Sequence, residues 1–173
     1  MLATYCVLLG AFAALMSDVL VAGAFLSGMR PRLGLAPPSQ DEFYKIPKDI
    51  NNHAPGTVLR TRNVPELAFG HLAGTAEQLF YKTTGPDNDS DGTVTTFVTP
   101  RHPRKGPPKL IAVAAAIDAS SIDCAPSYAL ATPGTSRNNV LIRLLSDPFI
   151  SASLFRGYYV TIPDYLGSKV RVT

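Results

Sequence analysis

Between Asp118 and Tyr128 the chain gathers the residues best suited to chemistry: Asp118, Ser120, Ser121, Asp123, Cys124, Ser127 and Tyr128. Acids, hydroxyls and a thiol this close together can offer acid–base, nucleophilic and hydrogen-bonding groups to one ligand. Just before them, from Lys109 to Ile117, nearly every side chain is apolar. A strand carries such a run when both its faces are covered, as in a parallel sheet flanked by helices, and ligands of open α/β sheets collect at the strands' carboxyl ends. KLIAVAAAIDASSIDCAPSY therefore reads as a buried strand running into a ligand loop, with an ordinary strand-to-helix connection as the plain alternative.

The elements that position this loop follow from pattern. The folded part is expected to begin near Asp41, with a short strand over Thr57 to Arg62. Glu77 to Thr84 and Thr93 to Thr99 are rich in β-branched and aromatic residues, and GPDNDSDG between them is turn chemistry, so the pair reads as a β-hairpin. Beyond the loop, Val140, Leu141, Leu144, Leu145, Ile150 and Leu154 fall near helical spacing within Asn139 to Gly157, with Ser136 or Asn138 as N-cap. Pro148 is expected to kink or split that helix and Gly157 to end it. Tyr158 to Gly167 reads as a second buried strand entering another small-residue turn. Hairpin, strand, helix and strand in this order give an α/β chain whose βαβ unit follows an antiparallel hairpin, the front half of an α/β-hydrolase sheet.

The ends carry other signals. Leu2 to Met16 is almost wholly apolar and is followed by Val21, Ala22, Gly23 and Ala24, so residues 1–24 read as a secretory signal peptide; an uncleaved anchor is the alternative, since no Lys or Arg precedes the run. Residues 25–40, with Pro31, Pro37 and Pro38, read as an extended leader, and 41–173 as the domain. No later segment is apolar and long enough to span a bilayer, so no integral membrane segment is expected after cleavage. The net charge of +3 is thinly spread. Its one cluster, Arg101, His102, Arg104 and Lys105, is broken by prolines, which argues for a solvated connection and against a nucleic-acid partner.

With Cys6 in the signal peptide, Cys124 is the one cysteine left in an oxidising compartment. It is a buried small hydrophobe, a link between chains, or half of a bridge whose other half lies in sequence this chain lacks. Asn88-Asp89-Ser90 is an N-glycosylation acceptor on the hairpin tip. Asp87 to Gly92 matches the first half of a calcium loop, but Val98 stands where the bidentate acid belongs and strands flank it, so a solvated tip is expected and no metal. His53, His71 and His102 lack ligand spacing, and no G-x-S-x-G nucleophile elbow is present; Ser136, in the nearest pentapeptide, reads as a loop or cap residue.

Five runs taken in order, PPSQDEFYKIP (Pro37 to Pro47), APGTVLRTR (Ala54 to Arg62), EQLFYKTTG (Glu77 to Gly85), IDASSIDCAPSYAL (Ile117 to Leu130) and GYYVTIPDYLG (Gly157 to Gly167), resemble the fungal secretory lipases of the Candida antarctica lipase A type. The resemblance implies an α/β-hydrolase with an inserted lid, hydrolysing triacylglycerols at a lipid interface through a Ser-Asp-His triad and no cofactor. It places Asp118 in the loop that supplies one oxyanion donor, and makes Cys124 a disulfide cysteine whose partner sits much further along. The family's serine, aspartate, histidine, lid and second cysteine all lie beyond the position of Thr173. The chain is thus expected to be an N-terminal fragment, inactive by itself and poorly soluble, with an open edge at Tyr158 to Asp164. The codons for Lys-Val-Arg at 169–171 can spell a splice donor, which points to a retained intron or a truncated gene model. Two other classes stay open: a secreted non-enzymatic lipid- or glycan-binding module, and a calcium-stabilised extracellular β-rich domain.

Overall fold

The computed structural model describes residues 35–85, 87–115, 117, 121–132 and 137–164. Five strands form one sheet: β1 (Val58–Val64), β2 (Ala73–Thr84), β3 (Ser90–Pro100), β4 (Leu110–Ala112) and β5 (Tyr159–Pro163). Two α-helices, α1 (Pro126–Ala131) and α2 (Arg137–Phe155), lie in the connection from β4 to β5. The spatial order is β1-β2-β3-β5-β4. The first three strands form an antiparallel meander, β5 joins β3 antiparallel, and β4 joins β5 parallel.

The expected hairpin is present and longer than its sequence signature, pairing Ala73 with Pro100 at one end and Thr84 with Ser90 at the other. Period-2 burial follows: Ala76, Gln78 and Phe80 of β2, Val94, Thr96 and Val98 of β3, and Val160 and Ile162 of β5 are buried, while Glu77, Leu79, Thr95, Phe97 and Thr161 between them are half-buried. Of these, Ala76, Val98, Val160 and Ile162 meet Leu130 of α1 and Ile142, Ile150 and Leu154 of α2 in the main core, while Phe80 and Val94 pack with Tyr44 in a second cluster. On the opposite face Phe97 stacks on Tyr159, ring centroids 5.9 Å apart, and Thr95 shares a hydroxyl hydrogen bond with Thr161. The helices thus cover one face, as sheets of largely antiparallel pairing permit.

Lys109 to Ile117 is not a strand buried on both faces. Its strand is the three-residue β4, with Leu110 exposed. Among the described residues beyond it Val113 and Ala115 are buried, and Ile111 of β4 and Ile117 are half-buried against the core. The apolar run came from edge exposure and an irregular continuation, which periodicity cannot tell from double burial. The open edge therefore belongs to β4, not to Tyr158 to Asp164, because β5 has a partner on each side.

Helix α2 departs from expectation in two ways. It runs through Pro148 without dividing, and Pro148 stands on the exposed side, where a carbonyl deprived of its donor can turn to water. Its buried face is Ile142, Ser146, Ile150 and Leu154, whereas Val140, Leu141, Leu144 and Leu145 are exposed. With apolar residues on more than one side of the helix, the pattern does not show which face turns inward. Asn138 lies inside the helix and so is not its cap, and Ser136 is outside the described residues. Arg143 fixes the inward orientation by donating to the carbonyls of Leu130 and Ala68, each at 2.7 Å.

Gly157 ends α2 as expected. At φ 72° its N–H donates to Leu154, and the Tyr158 N–H reaches back to Ser153, the paired bonds of a Schellman motif. A Cβ there would stand 2.4 Å from the Arg104 nitrogen, so backbone conformation and close approach both demand glycine. Gly157→Ala should lower stability by more than about 1 kcal/mol, read as a lower urea midpoint in pulse proteolysis at low protein concentration.

Candidate functional site

The carboxyl ends of β4 and β5 meet beside the segment Ser121 to Ser127. Asp118, the residue given the oxyanion role by resemblance, lies outside the described residues, as does Ser120. The residues after it serve the architecture. The Ser121 hydroxyl accepts the Asp123 N–H at the head of a 3-10 turn over Ile122–Cys124. The Asp123 carboxylate accepts both the N–H and the hydroxyl of Ser39, at 2.8 and 2.9 Å. Cys124 is half-buried in that turn. Tyr128 is half-buried too, and its carbonyl accepts the Thr132 hydroxyl at 2.6 Å.

Ser127 is fully buried and uses every polar atom it has. Its N–H donates to Asp164 Oδ1 at 2.8 Å, its hydroxyl donates to Asp164 Oδ2 at 2.5 Å, and its carbonyl accepts from Gln78 Nε2 at 2.7 Å. The Tyr44 hydroxyl lies 2.8 Å from Ser127 Oγ and, with that oxygen donating to the carboxylate, is its donor. Asp164 follows β5 directly. Its N–H donates to the Val94 carbonyl, and its own carbonyl accepts a short bond from the Thr93 hydroxyl. Burial of the whole carboxyl group pushes its pKa up from 3.8 to about 7, against the lowering effect of the two Ser127 bonds. Tyr44 is raised as well, first by burial and then by the charge of Asp164, while the Ser127 bond and Arg62 lower it.

This network continues into an amino-terminal strap of two 3-10 turns, Pro38–Gln40 and Glu42–Tyr44. Arg62 of β1 donates to Gln78 Oε1 at 2.7 Å and to Asp41 Oδ2 at 2.5 Å, with its guanidinium 4.1 Å from the Phe43 ring centroid. Arg60, two residues earlier on the same face, donates to the carbonyls of Glu42, Phe43 and Lys45 and sits 5.0 Å from the Phe80 centroid. Delocalised guanidinium groups suit this mixture of carbonyl, carboxylate and ring partners.

Asn88 is exposed on the hairpin tip in the left-handed conformation, φ 59°. Among the described residues no three acids, histidines or cysteines converge as a metal site, and no helix is long and apolar enough to cross a membrane. His53 pairs with Asp49, and His71 and His102 are exposed. The sequence reading missed Asp164, Tyr44, Gln78 and Arg62. Asp164 had a usable signal, since it is an acid at the end of an apolar strand, the same argument that pointed to Asp118.

No family profile matches the sequence. Individual proteins do. The chain is 41% identical over 137 residues to a protein of Mycobacterium tuberculosis described as a probable inactive lipase, covering 76% of this chain and 30% of that one. It is 35% identical over 139 residues to lipase A of Moesziomyces aphidis, at 80% and 30% coverage. The structure of Candida antarctica lipase A in its closed state superposes with a TM-score of 0.70 at 32% identity, over 79% of this chain and 31% of that one. Over these residues the chain belongs to the lipase A-like family. It spans about 30% of the length of the curated relatives it matches. Its sheet is correspondingly part of the family's α/β fold, with the βαβ unit β4-α1-α2-β5 beside the meander.

The titration of Asp164 has a definite sign. Its folded pKa lies above the unfolded value, so between pH 4 and 7 the native state holds a proton that the unfolded chain has released. Its contribution is complete below about pH 4 and is lost as pH rises to about 7. Urea midpoints measured across that range should fall with rising pH in the native sequence, and Asp164→Asn should remove most of that slope.

Proposed function

We propose that this chain is the amino-terminal part of a secreted triacylglycerol lipase, a serine ester hydrolase in which Asp118 belongs to the oxyanion loop. The observation that carries this reading is the superposition on Candida antarctica lipase A at 32% identity and a TM-score of 0.70, over 79% of this chain. In such chemistry a serine attacks the ester carbonyl and backbone N–H donors meet the charge that develops on its oxygen. The residues up to Thr173 would supply the loop end of that arrangement, and by resemblance the nucleophile, acid and base would come from elsewhere in the family's fold. The substrate is an ester lipid at an interface, with no nucleic-acid partner. Residues 1–24 would direct export, Asn88 would carry a glycan and Cys124 would close a disulfide with a distant cysteine; the exposed tip at Asn88 and the apolar run Leu2 to Met16 support the first two.

A second reading is a secreted, non-enzymatic lipid- or glycan-binding module. It is favoured by the exposed apolar side of α2, where Leu144, Phe149 and Phe155 are 69%, 67% and 79% accessible. Saturable binding to triolein emulsion without release of fatty acid would distinguish it.

The lipase reading is tested by placing residues 35–164 into Candida antarctica lipase A in place of the matched segment. The chimaera is expected to hydrolyse emulsified triacylglycerol, and the 173-residue chain alone to release none. Asp118→Pro in the chimaera, which deletes the backbone N–H, should lower kcat about 100-fold. A soluble, folded chimaera without activity would overturn the reading.

A further inference from the structure

The segment Ser121 to Ser127 has two ends of unlike character. Upstream, the loop opens at Ile117, which is half-buried against the main core. Downstream, Ser127 is bound through both main-chain polar groups and its hydroxyl to three separate parts of the sheet and strap. Between these ends the turn holds its shape by local bonds, Cys124 to Ser121 and Ala125 to Ile122. Asp123 fastens it further to Ser39 by an exposed pair of hydrogen bonds. The Ser127–Asp164 pair is a buried anchor that ties the turn to the carboxyl end of β5.

We propose that Asp164 is a positioning residue for the ester hydrolysis, which acts by holding the Ser121–Ser127 turn against the end of β5 through Ser127. This rests on the assignment of Asp118 to the oxyanion loop. The bonding is directional. A carboxylate receiving both the N–H and the O–H of one serine fixes the position and the rotation of that residue, as a single bond would not. Tyr44 donating to the same hydroxyl, and Gln78 donating to the Ser127 carbonyl, leave the serine one arrangement in which all its groups are satisfied. A displacement of about 1 Å at such a loop is enough to cost two orders of magnitude in turnover. The groups whose charge couples to Asp164 are Tyr44 from the strap and Tyr81 from β2, with Arg62 and Asp41 acting on Tyr44 in turn.

Amide exchange in the 173-residue chain tests this, read at Asp123, Cys124 and Ala125 against the β2–β3 hairpin as internal reference. Asp164→Ala should speed exchange in the turn by about ten-fold relative to the hairpin. Asp164→Asn should restore it to within about three-fold, because its Oδ1 still accepts the Ser127 N–H and its Nδ2 donates to the Ser127 hydroxyl. Ser127→Ala, which keeps the N–H bond and loses the other, should fall between them and decides the matter where Asp164→Ala loosens turn and hairpin alike. Unchanged turn exchange in both alanine variants, or equal acceleration of turn and hairpin in both, would overturn the proposal. In the lipase chimaera, Asp164→Ala should lower kcat about ten-fold or more with KM within about two-fold, and Asp164→Asn should recover it. An inactive parent chimaera removes the lipase reading and leaves the anchor to be judged by exchange; an active one with kcat unmoved by Asp164→Ala removes the positioning role alone.

Discussion

Everything around the carboxyl ends of β4 and β5 depends on the need to satisfy Ser127 once it is buried. A buried hydroxyl and a buried peptide group left without partners would each cost roughly 1–3 kcal/mol. Here the partners come from distant parts of the chain: Asp164 after β5, Gln78 on β2, and Tyr44 on the strap. Each partner then imposes its own requirement. Gln78, fully buried in the middle of an apolar face, needs Arg62 for its carbonyl oxygen, and Arg62 in turn engages Asp41 and the Phe43 ring. Meeting one residue's hydrogen bonds thus assembles strap, sheet and helix α1 into one unit. The pairing is extensive but not complete, since Arg62 Nη2 is buried without a hydrogen-bond partner.

The same network explains how a carboxyl group tolerates full burial. Two bonds from one serine favour the ionised form but do not offset the loss of water, and the pKa stays near neutrality. A leucine of similar size at position 164 would avoid that cost. It would also leave the Ser127 N–H and hydroxyl without acceptors, so the acid has a structural reason to stay even where it lowers stability.

Much of the architecture was legible because local and global preferences agree. Turn chemistry at GPDNDSDG, β-branched residues on both sides of it and a glycine after an apolar helix gave the hairpin, the helix end and the order of elements. What pattern did not give was orientation. Of the six apolar positions at helical spacing in α2, Ile150 and Leu154 face inward while Val140, Leu141, Leu144 and Leu145 face out, so hydrophobicity alone did not single out the buried face. The inward face is set instead by Arg143 reaching the carbonyls of Leu130 and Ala68, contacts invisible in a linear reading. The candidate site was half legible. The loop after β4 was recognised, yet Ser121, Asp123 and Ser127 proved to be anchors, because the sequence alone does not show which hydroxyls and acids face backbone donors. Asp164 and its partners were missed since they are separated by 120 positions, from Tyr44 to Asp164.

The strand order β1-β2-β3-β5-β4 also constrains the sequence of events during synthesis. The meander is built from neighbours and can form as soon as Pro100 has emerged, through loop closures of low entropic cost. Strand β4 is made next but has no place on that meander, because β5 stands between it and β3. Leu110–Ala112 must wait, unpaired, while the ribosome adds the residues up to Pro163. At translation rates of roughly 5–20 residues per second that interval lasts a few seconds. During it the apolar stretch from Leu110 to Ile117 and the apolar side chains of α2 are exposed together, which makes the wait for β5 the period when a nascent chain of this fold most needs a chaperone.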